Sequence, residues 1–562
     1  MAARVIEHPG SDYMIDVIKA MGIEYIAANP GSSFEGLHES IINYGGNVKP
    51  ELLTCCHEES SVAMAHGYAK IEGKPMATML HGVIGIQHAA MAIYNAYADR
   101  VPVFMIAGLD NDGPVPAHNA SDMGALVRDY VKWDYQPESL AQFSQSAIRA
   151  YKLAATPPMA PVLLVLDARI QKQPQPLNLP APRMTMPLPP GADSSALKEI
   201  ARQLVAAENL KINAGRSART PAGLTLLVEL AELLQAPVNN VGGERVNFPS
   251  RHPLAGMGAG TPDLTLNLEA TVGFGGGPGR GILTGRSISI SAAEFLATHN
   301  FNVNGNPGDA EMSIGADAEA SLPDLIEQVR RLVTPDRKRA FEQRGIKHAE
   351  ANRQARDQFI ELARFGWDSS PISLARLTAE LWPLIKNDDW SLVSPQGFIS
   401  NWPNRLWNMD QQHRYIGGQG GGGMGYGAPA AVGAALANRK YGRLSINIQT
   451  DGDLNYAPGV LWTAAHHKIP LLTIMHNNRG YHQELMYVEQ QCGARNRGAE
   501  RAHIGTKLWD PDIDYAKMAQ AYGMHGEGPV SDPKDLVPAL KRGLEIVRKG
   551  EPALIDVITQ PR

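Results

Sequence analysis

The stretch Leu444–Asn478, LSINIQTDGDLNYAPGVLWTAAHHKIPLLTIMHNN, predicts a single βαβ unit with an acidic turn. Residues 444–448 alternate apolar and polar side chains as a strand does, and the sequence TDGD at 450–453 closes that strand. A helix is expected over about 459–467. The apolar run 470–475 is the next strand, and it ends in two asparagines.

Two polar residues lie where the strands of this unit end. Asp451 follows the first strand and Asn478 the second. Because consecutive parallel strands deliver their carboxyl ends to one edge of a sheet, we expect the two side chains to meet there. Their oxygens suit Mg²⁺ together with phosphate oxygens, and a nearby helix N-terminus favours the same anion. Either feature alone is usually an ordinary turn or strand exit.

The rest of the chain shows the same alternation of short apolar strands and helices, for example at 75–80, 102–107 and 161–166. Seven prolines between Gln171 and Pro190 indicate a linker. A second unit of this kind follows, and a third begins after the charged helical stretch Asp336–Glu361. The predicted fold class is α/β, with three domains that each hold a mainly parallel sheet flanked by helices.

Composition excludes several classes of protein. The 562 residues carry a net charge of -5 and are 44% hydrophobic, which is typical of a globular protein and not of a disordered or fibrous one. The pI near 6.4 and the lack of a basic stripe argue against a nucleic-acid partner. Three cysteines favour a reducing compartment, and no run of about eighteen apolar residues predicts a membrane span. We expect a cytoplasmic protein.

Two further segments carry motifs. His57–Ala69 reads HEESSVAMAHGYA, and Gly420–Pro429 reads GGGGMGYGAP. The first is not a zinc-protease helix, because Ser61 stands where the second histidine of H-E-x-x-H would lie. The second contains G-x-G-x-x-G before a helix, but a glycine-rich run meets that pattern by chance, and we find no convincing acidic ribose partner at the end of the next strand.

Together these segments resemble the thiamine diphosphate (ThDP) enzymes of the benzoylformate decarboxylase, acetohydroxyacid synthase and pyruvate decarboxylase type. Asp451 and Asn478 lie 27 positions apart, as in the family's Gly-Asp-Gly to Asn-Asn segment, although Thr450 replaces the usual first glycine. The resemblance covers essentially the whole chain. It implies a pyrimidine-binding domain over 1–172, a middle domain over 190–335 and a diphosphate-binding domain over 368–562.

The resemblance implies how the chain would hold ThDP at its pyrimidine end. Glu58 takes the place of the glutamate that activates the cofactor, while Glu59, the next residue on the helix, is expected to point elsewhere. Met424 takes the place of the apolar side chain that props the cofactor in its bent shape. The backbone carbonyl of Gly422 takes the place of the acceptor for the aminopyrimidine.

At the diphosphate end, the resemblance implies that Mg²⁺ is held by Asp451, Asn478 and the Gly480 carbonyl. Gly452 and Asp453 are expected beside the diphosphate. Asp453 is a departure, because the family commonly has a small or hydroxyl residue at that position.

The active-site residues resemble those of benzoylformate decarboxylase most. Ser32, in an Asn-Pro-Gly-Ser turn, takes the place of a substrate-binding serine, and His81, 23 positions beyond Glu58, that of a catalytic histidine. Taken singly, the two residues read as a turn cap and a core imidazole. Gln483 and Tyr487 are expected to line the substrate pocket, and a glutamine there suggests a polar substrate. The family's second catalytic histidine has no counterpart in the stretch 272–280.

The leading functional hypothesis is therefore a ThDP- and Mg²⁺-dependent lyase that decarboxylates a 2-keto acid, with possible carboligation. One alternative is an acetolactate-synthase-like carboligase. An alternative of another class is a non-catalytic ThDP-binding regulatory or assembly protein. The implied partners are a small-molecule substrate and a second copy of the chain, in a homodimer or homotetramer with active sites at the subunit interface.

Overall fold

The structure is a computed structural model that describes residues 8–111, 118–176, 179–180, 182–241, 245–270, 286–296, 310–394 and 399–561. Its described residues form parallel sheets in three successive parts of the chain, each sheet flanked by helices. The predicted α/β class with three domains is confirmed.

The N-terminal sheet has the strand order β2-β1-β3-β4-β6-β5, with all neighbouring strands parallel. Its strands are β1 (Tyr25–Ala28), β2 (Glu51–Thr54), β3 (Met76–Leu80), β4 (Val103–Leu109), β5 (Trp133–Tyr135) and β6 (Val162–Asp167). Its helices are α1 (Gly10–Ala20), α2 (Glu35–Ile42), α3 (Glu58–Glu72), α4 (Gly82–Ala98), α5 (Leu140–Ala155) and α6 (Ala168–Lys172). Strands β3, β4 and β6 are buried throughout, which is why they read as continuous apolar runs.

The middle sheet has the order β11-β10-β9-β7-β8 and is also parallel. Its strands are β7 (Leu210–Ala214), β8 (Val238–Asn240), β9 (Leu264–Leu268), β10 (Arg286–Ile290) and β11 (Met312–Ile314). Its helices are α7 (Ser194–Ala206), α8 (Pro221–Leu234) and α9 (Ala318–Leu332). The charged stretch that follows is the long helix α10 (Pro335–Ala363), as its composition predicts.

The C-terminal sheet has the order β12-β13-β14-β16-β15, again parallel. Its strands are β12 (Trp390–Val393), β13 (Leu444–Thr450), β14 (Leu472–Asn477), β15 (His525–Val530) and β16 (Ala553–Ile558). Its helices are α11 (Leu374–Ile385), α12 (Trp402–Leu406), α13 (Gly427–Arg439), α14 (Asp451–Leu454), α15 (Val460–His466), α16 (His482–Ala494), α17 (Tyr515–Ala521) and α18 (Pro533–Arg548). The predicted acidic turn is thus the short helix α14, which begins directly after β13.

The N-terminal and C-terminal sheets are joined through α3 and α13, which share one hydrophobic core. Two glycines permit this close approach. A side chain on Gly67 would overlap the backbone of Ala430, and one on Gly433 would overlap the backbone of Met64. The packing places the first turn of α3 beside the C-terminal sheet.

The domain limits 1–172, 190–335 and 368–562 stay a prediction, and the three sheets fall within them. The described part of the proline-rich stretch between α6 and α7 has no helix or strand. Across the described ranges, none of the helices combines the length and the apolar character needed to cross a bilayer.

Candidate active site

A cavity of about 410 Å³ opens at the carboxyl ends of β13 and β14. The two strands are hydrogen-bonded neighbours, with Thr450 opposite His476 in the register. This pairing brings Asp451 and Asn478 to the same edge of the sheet. The residues that were predicted from the sequence and that line the cavity are Gly422, Met424, Asp451, Gly452, Asp453, Asn478, Gly480 and Gln483.

Asp451 and Asn478 provide oxygens that suit a cation. The Asp451 carboxylate is 1% exposed and accepts hydrogen bonds from the backbone N–H groups of Gly452 at 2.8 Å and Gly480 at 3.0 Å. Burial raises its pKa to about 6, since the charged form has lost its water. Among the described residues, the buried Oδ1 of Asn478 has no hydrogen-bond partner. A hard cation between these two groups would satisfy both, so the donor set fits Mg²⁺.

The Asp453 carboxylate is occupied by the protein itself. It is 3% exposed and accepts from the backbone N–H groups of Gly425 at 2.7 Å and Gly427 at 3.0 Å, and from Nε2 of Gln449 at 2.8 Å. This side chain therefore braces the glycine segment, by which we mean residues 417–427, against α14. The part of Asp453 left to meet a phosphate is its backbone.

Glu58 lies apart from this cavity, on the N-terminal domain. It is the first residue of α3 and is 2% exposed, and its Oε2 lies 3.2 Å from Nδ1 of His88. His57 caps the helix by accepting a hydrogen bond from the Glu59 N–H at its Nδ1, and its ring stacks on that of His88. A nitrogen of each histidine and an oxygen of Glu58 lie within 4.8 Å of one another. Because the rings are stacked and the His57 Nδ1 is used in the cap, the cluster orders Glu58 and does not converge on one ion.

Glu59 points away from Glu58, as expected, but it is buried against the glycine segment. It is 8% exposed, and a side chain on Gly425 would overlap its Oε1. Burial, and next the charge of Asp453, raise its pKa to about 7. Glu59 therefore couples α3 to the glycine segment of the same chain, a contact that sequence reasoning missed.

His81 lies between two polar neighbours that sequence reasoning also missed. Its Nδ1 is 2.9 Å from the Ser33 hydroxyl, and its Nε2 is 3.0 Å from Nδ1 of His118. Burial is the main cause that lowers the pKa of His81. Ser32, the serine predicted for the site, is exposed, whereas Ser33 is buried. The sequence signal was the pair of adjacent serines in the turn. Only the fold shows which of the two contacts His81.

On the substrate side, the structure places the two predicted residues one turn apart on α16. Gln483 lines the cavity and donates a hydrogen bond from Nε2 to the Tyr487 hydroxyl at 3.0 Å. Tyr487 is 52% exposed and orients the glutamine from outside the cavity. The stretch 272–280, where the second histidine was sought, lies outside the described residues.

The predicted site residues thus fall into two groups within one chain. The residues that line the cavity come from the C-terminal part, between Gly422 and Pro561. Glu58, His81 and Ser32 belong to the N-terminal domain and are not among the described residues that line it. The two groups are therefore separate within one chain.

Comparison with known proteins identifies domains of one family in this chain. The model of the thiamine pyrophosphate enzyme N-terminal TPP binding domain matches residues 8–123, and that of the C-terminal TPP binding domain matches residues 396–557. Benzoylformate decarboxylase of Pseudomonas aeruginosa is 26% identical over 97% of this chain and 98% of its own length. Acetolactate synthase isozyme 3 large subunit of Escherichia coli is 23% identical over 98% of this chain and 94% of its own.

Solved structures share the fold. Benzoylformate decarboxylase from Polynucleobacter necessarius superposes with a TM-score of 0.79 at 19% identity, covering 99% of both chains. The thiamine diphosphate-dependent 4-hydroxybenzoylformate decarboxylase of Rhodococcus jostii RHA1 gives 0.77 at 22% identity, covering 98% of this chain and 99% of that one. Because the models of both TPP binding domains match it, the chain belongs to the thiamine pyrophosphate (ThDP) enzymes.

Proposed function

We propose that this protein is a ThDP- and Mg²⁺-dependent lyase that decarboxylates a 2-keto acid. The observation that carries the proposal is that Asp451 and Asn478 line one cavity and that Oδ1 of Asn478 has no hydrogen-bond partner among the described residues. A buried carboxylate and a buried amide oxygen without a partner are costly unless a cation compensates them. Asp451, Asn478 and the Gly480 carbonyl would hold Mg²⁺, with Gly452 and the backbone of Asp453 beside the diphosphate.

Bound ThDP supplies a carbon nucleophile and an electron sink for the electron pair that remains when CO₂ leaves. The chain contributes the proton chemistry around it. Glu58 would bind the pyrimidine ring and exchange a proton with it, while Gly422 and Met424 would hold that ring in place. His81 would move a proton to or from the substrate carbon, because imidazole suits this task near neutral pH. Ser32 would anchor the substrate.

Substrate choice is assigned to Gln483 and Tyr487. The Tyr487 hydroxyl fixes the Gln483 amide, so that its oxygen can be presented to the cavity. A glutamine at this position favours a more polar 2-keto acid over an apolar aryl one, because an amide can hydrogen-bond to a polar group of the substrate.

Carboligation is the second candidate reaction. It is supported by the similarity to an acetolactate synthase over nearly the full length of both chains. The non-catalytic alternative is disfavoured, because Glu58, Asp451 and Asn478 are all present.

We also propose that the active enzyme is a homodimer or homotetramer. Glu58 and the cavity form separate half-sites in one chain, so a second copy is needed to bring Glu58 to the cofactor. The three free cysteines favour a reducing compartment, and we place the protein in the cytoplasm on that basis.

A 2-keto acid screen tests the function. The protein is incubated with aliphatic, polar and aryl 2-keto acids, with and without ThDP and Mg²⁺, and CO₂, aldehyde and acyloin are measured. We expect CO₂ release that requires both cofactors and is lost in Asp451→Ala, which removes the charged cation ligand. Aldehyde as product indicates decarboxylation, and acyloin indicates ligation. ThDP binding to Asp451→Ala with unchanged affinity would contradict the metal assignment.

A further inference from the structure

The glycine segment is glycine-rich because helix α4 lies directly on it. A side chain on Gly420 would overlap the backbone of Asp99, and one on Gly423 would overlap the side chain of Met91. At Gly421 an added Cβ would lie 2.7 Å from Oδ1 of Asn95. Three glycines of the run are thus explained by the close approach of a helix of the N-terminal domain.

Gly422 differs from its neighbours. Its φ is +74°, a Cβ there would meet nothing within 4 Å, and it lines the cavity together with Met424. The segment therefore alternates, with Gly421 and Gly423 facing α4 and Gly422 facing the cavity. A contact that fixes Gly423 therefore also fixes its two neighbours, Gly422 and Met424.

Asn95 holds Gly423 by both of its backbone polar groups. The Gly423 N–H donates to Oδ1 of Asn95 at 3.1 Å, and Nδ2 of Asn95 donates to the Gly423 carbonyl at 3.1 Å. Asn95 is 1% exposed, so water cannot replace either bond. The two bonds require one donor and one acceptor side by side, which a carboxamide provides and a carboxylate or an aliphatic side chain does not.

We infer that Asn95 is a positioning residue for the cofactor. By clamping Gly423 it sets the place of the Gly422 carbonyl and of the Met424 side chain, which would meet the pyrimidine end of ThDP. The inference rests on the proposed function, since those two roles belong to it. Asn95 belongs to the N-terminal domain and would touch neither cofactor nor substrate. It would instead fix the residues of the C-terminal domain of the same chain that hold the cofactor.

A purely structural role, in which Asn95 only joins the two domains, has different consequences from a positioning role. Loss of a residue that only joins the domains would lower thermal stability and would weaken the binding of all ligands of the cavity alike. A positioning residue acts on the pyrimidine end alone, because Asp451 and Asn478, which would hold the Mg²⁺-diphosphate end, directly follow β13 and β14. Comparing ThDP with inorganic pyrophosphate separates the two ends.

The test measures the Kd of ThDP and of inorganic pyrophosphate, each with Mg²⁺, for the full-length protein and two variants. Asn95→Asp keeps the shape and loses the donor, and Asn95→Leu loses both bonds. The matched control is Asn352→Asp, which removes a donor from another buried asparagine, one that bonds the Pro253 carbonyl at 2.8 Å in the middle domain. Binding is measured well below the unfolding temperature of the least stable variant, and the unfolding temperature of each is recorded.

We expect the Kd of ThDP to rise roughly tenfold or more in both Asn95 variants, because each variant loses one or two buried hydrogen bonds. The affinity for pyrophosphate should not change. Asn352→Asp should lose stability and keep both affinities. Equal weakening of ThDP and pyrophosphate, or ThDP affinity within twofold of the control, would overturn the positioning role. Failure of the unmodified protein to bind ThDP would instead refute the proposed function itself, before any variant is compared.

Discussion

At the scale of single residues, His118 changes the expected chemistry most. It lies 3.0 Å from His81, whose other ring nitrogen faces the Ser33 hydroxyl. Two imidazoles in hydrogen-bond contact can pass one proton between them, and the burial that lowers the pKa of His81 favours its neutral, proton-accepting form near pH 7. The pair provides a second imidazole within the N-terminal domain.

If the two histidines act as a unit, His118→Ala should lower kcat by roughly a hundredfold, which is typical of a lost general acid–base group. The double variant His81→Ala/His118→Ala should then be no slower than His81→Ala, since groups that act together are not additive. Single-turnover and steady-state kcat with the best substrate of the screen measure both. Losses that multiply would mean that His118 acts independently of His81.

At the scale of elements, the first turn of α3 contacts two different surfaces. Glu58 turns toward His88 on α4, while Glu59 packs against Gly425 in the glycine segment, next to Asp453. The buried carboxyl groups of Glu59 and Asp453 at this contact are tolerated best when one of them is protonated. The contact between α3 and the glycine segment should therefore depend on pH.

Glu59→Gln should reveal that dependence in the cofactor-free protein. The pKa of Glu59 is raised to about 7, so its contribution is fully present below its unfolded-state pKa of about 4.3 and is lost as the pH rises through 7. Relative to the variant, the unmodified protein should be equally stable near pH 4.5 and less stable at pH 8, by on the order of 1 to 3 kcal/mol. Thermal unfolding of both proteins between pH 4.5 and 8 measures this. A Tm difference that does not change with pH would contradict it.

At the scale of the whole molecule, the main feature is that Glu58 and the cavity lie apart within one chain. The α3–α13 packing joins the N-terminal and C-terminal domains of one chain in a continuous core. Glu58 nevertheless contacts His88 and is not among the described residues that line the cavity containing Asp451. This geometry suits an assembly in which each cavity receives Glu58 of the partner subunit.

Mixing two inactive variants tests that assembly. Glu58→Gln and Asp451→Ala should each be inactive, because one lacks the activating carboxyl and the other the cation ligand. Co-expressed in equal amounts, they should recover about a quarter of the normal activity, because random pairing makes half of the dimers mixed and each mixed dimer has one intact site of two. Each variant combined with itself serves as the control. No recovery from well-mixed dimers would indicate that each chain completes its own site.

The sequence by itself determined the features that depend on local order along the chain. The periodicity of residues 444–478 predicted two strands and the helix between them, and Asp451 and Asn478 followed as strand exits, because parallel strands end at one edge. The α/β class and the proline-rich linker were predicted for the same reason. Only the acidic turn differed, since it is the start of the short helix α14.

The tertiary structure alone decided which side chains face one another across the chain. Ser33, rather than Ser32, contacts His81, and Glu59 reaches the glycine segment. Asn95 clamps Gly423 from 328 positions away, a pairing that no spacing along the chain could predict. Such contacts depend on how the α3 and α4 faces dock on the C-terminal domain. That docking follows from packing of the whole core and not from the propensities of any one segment.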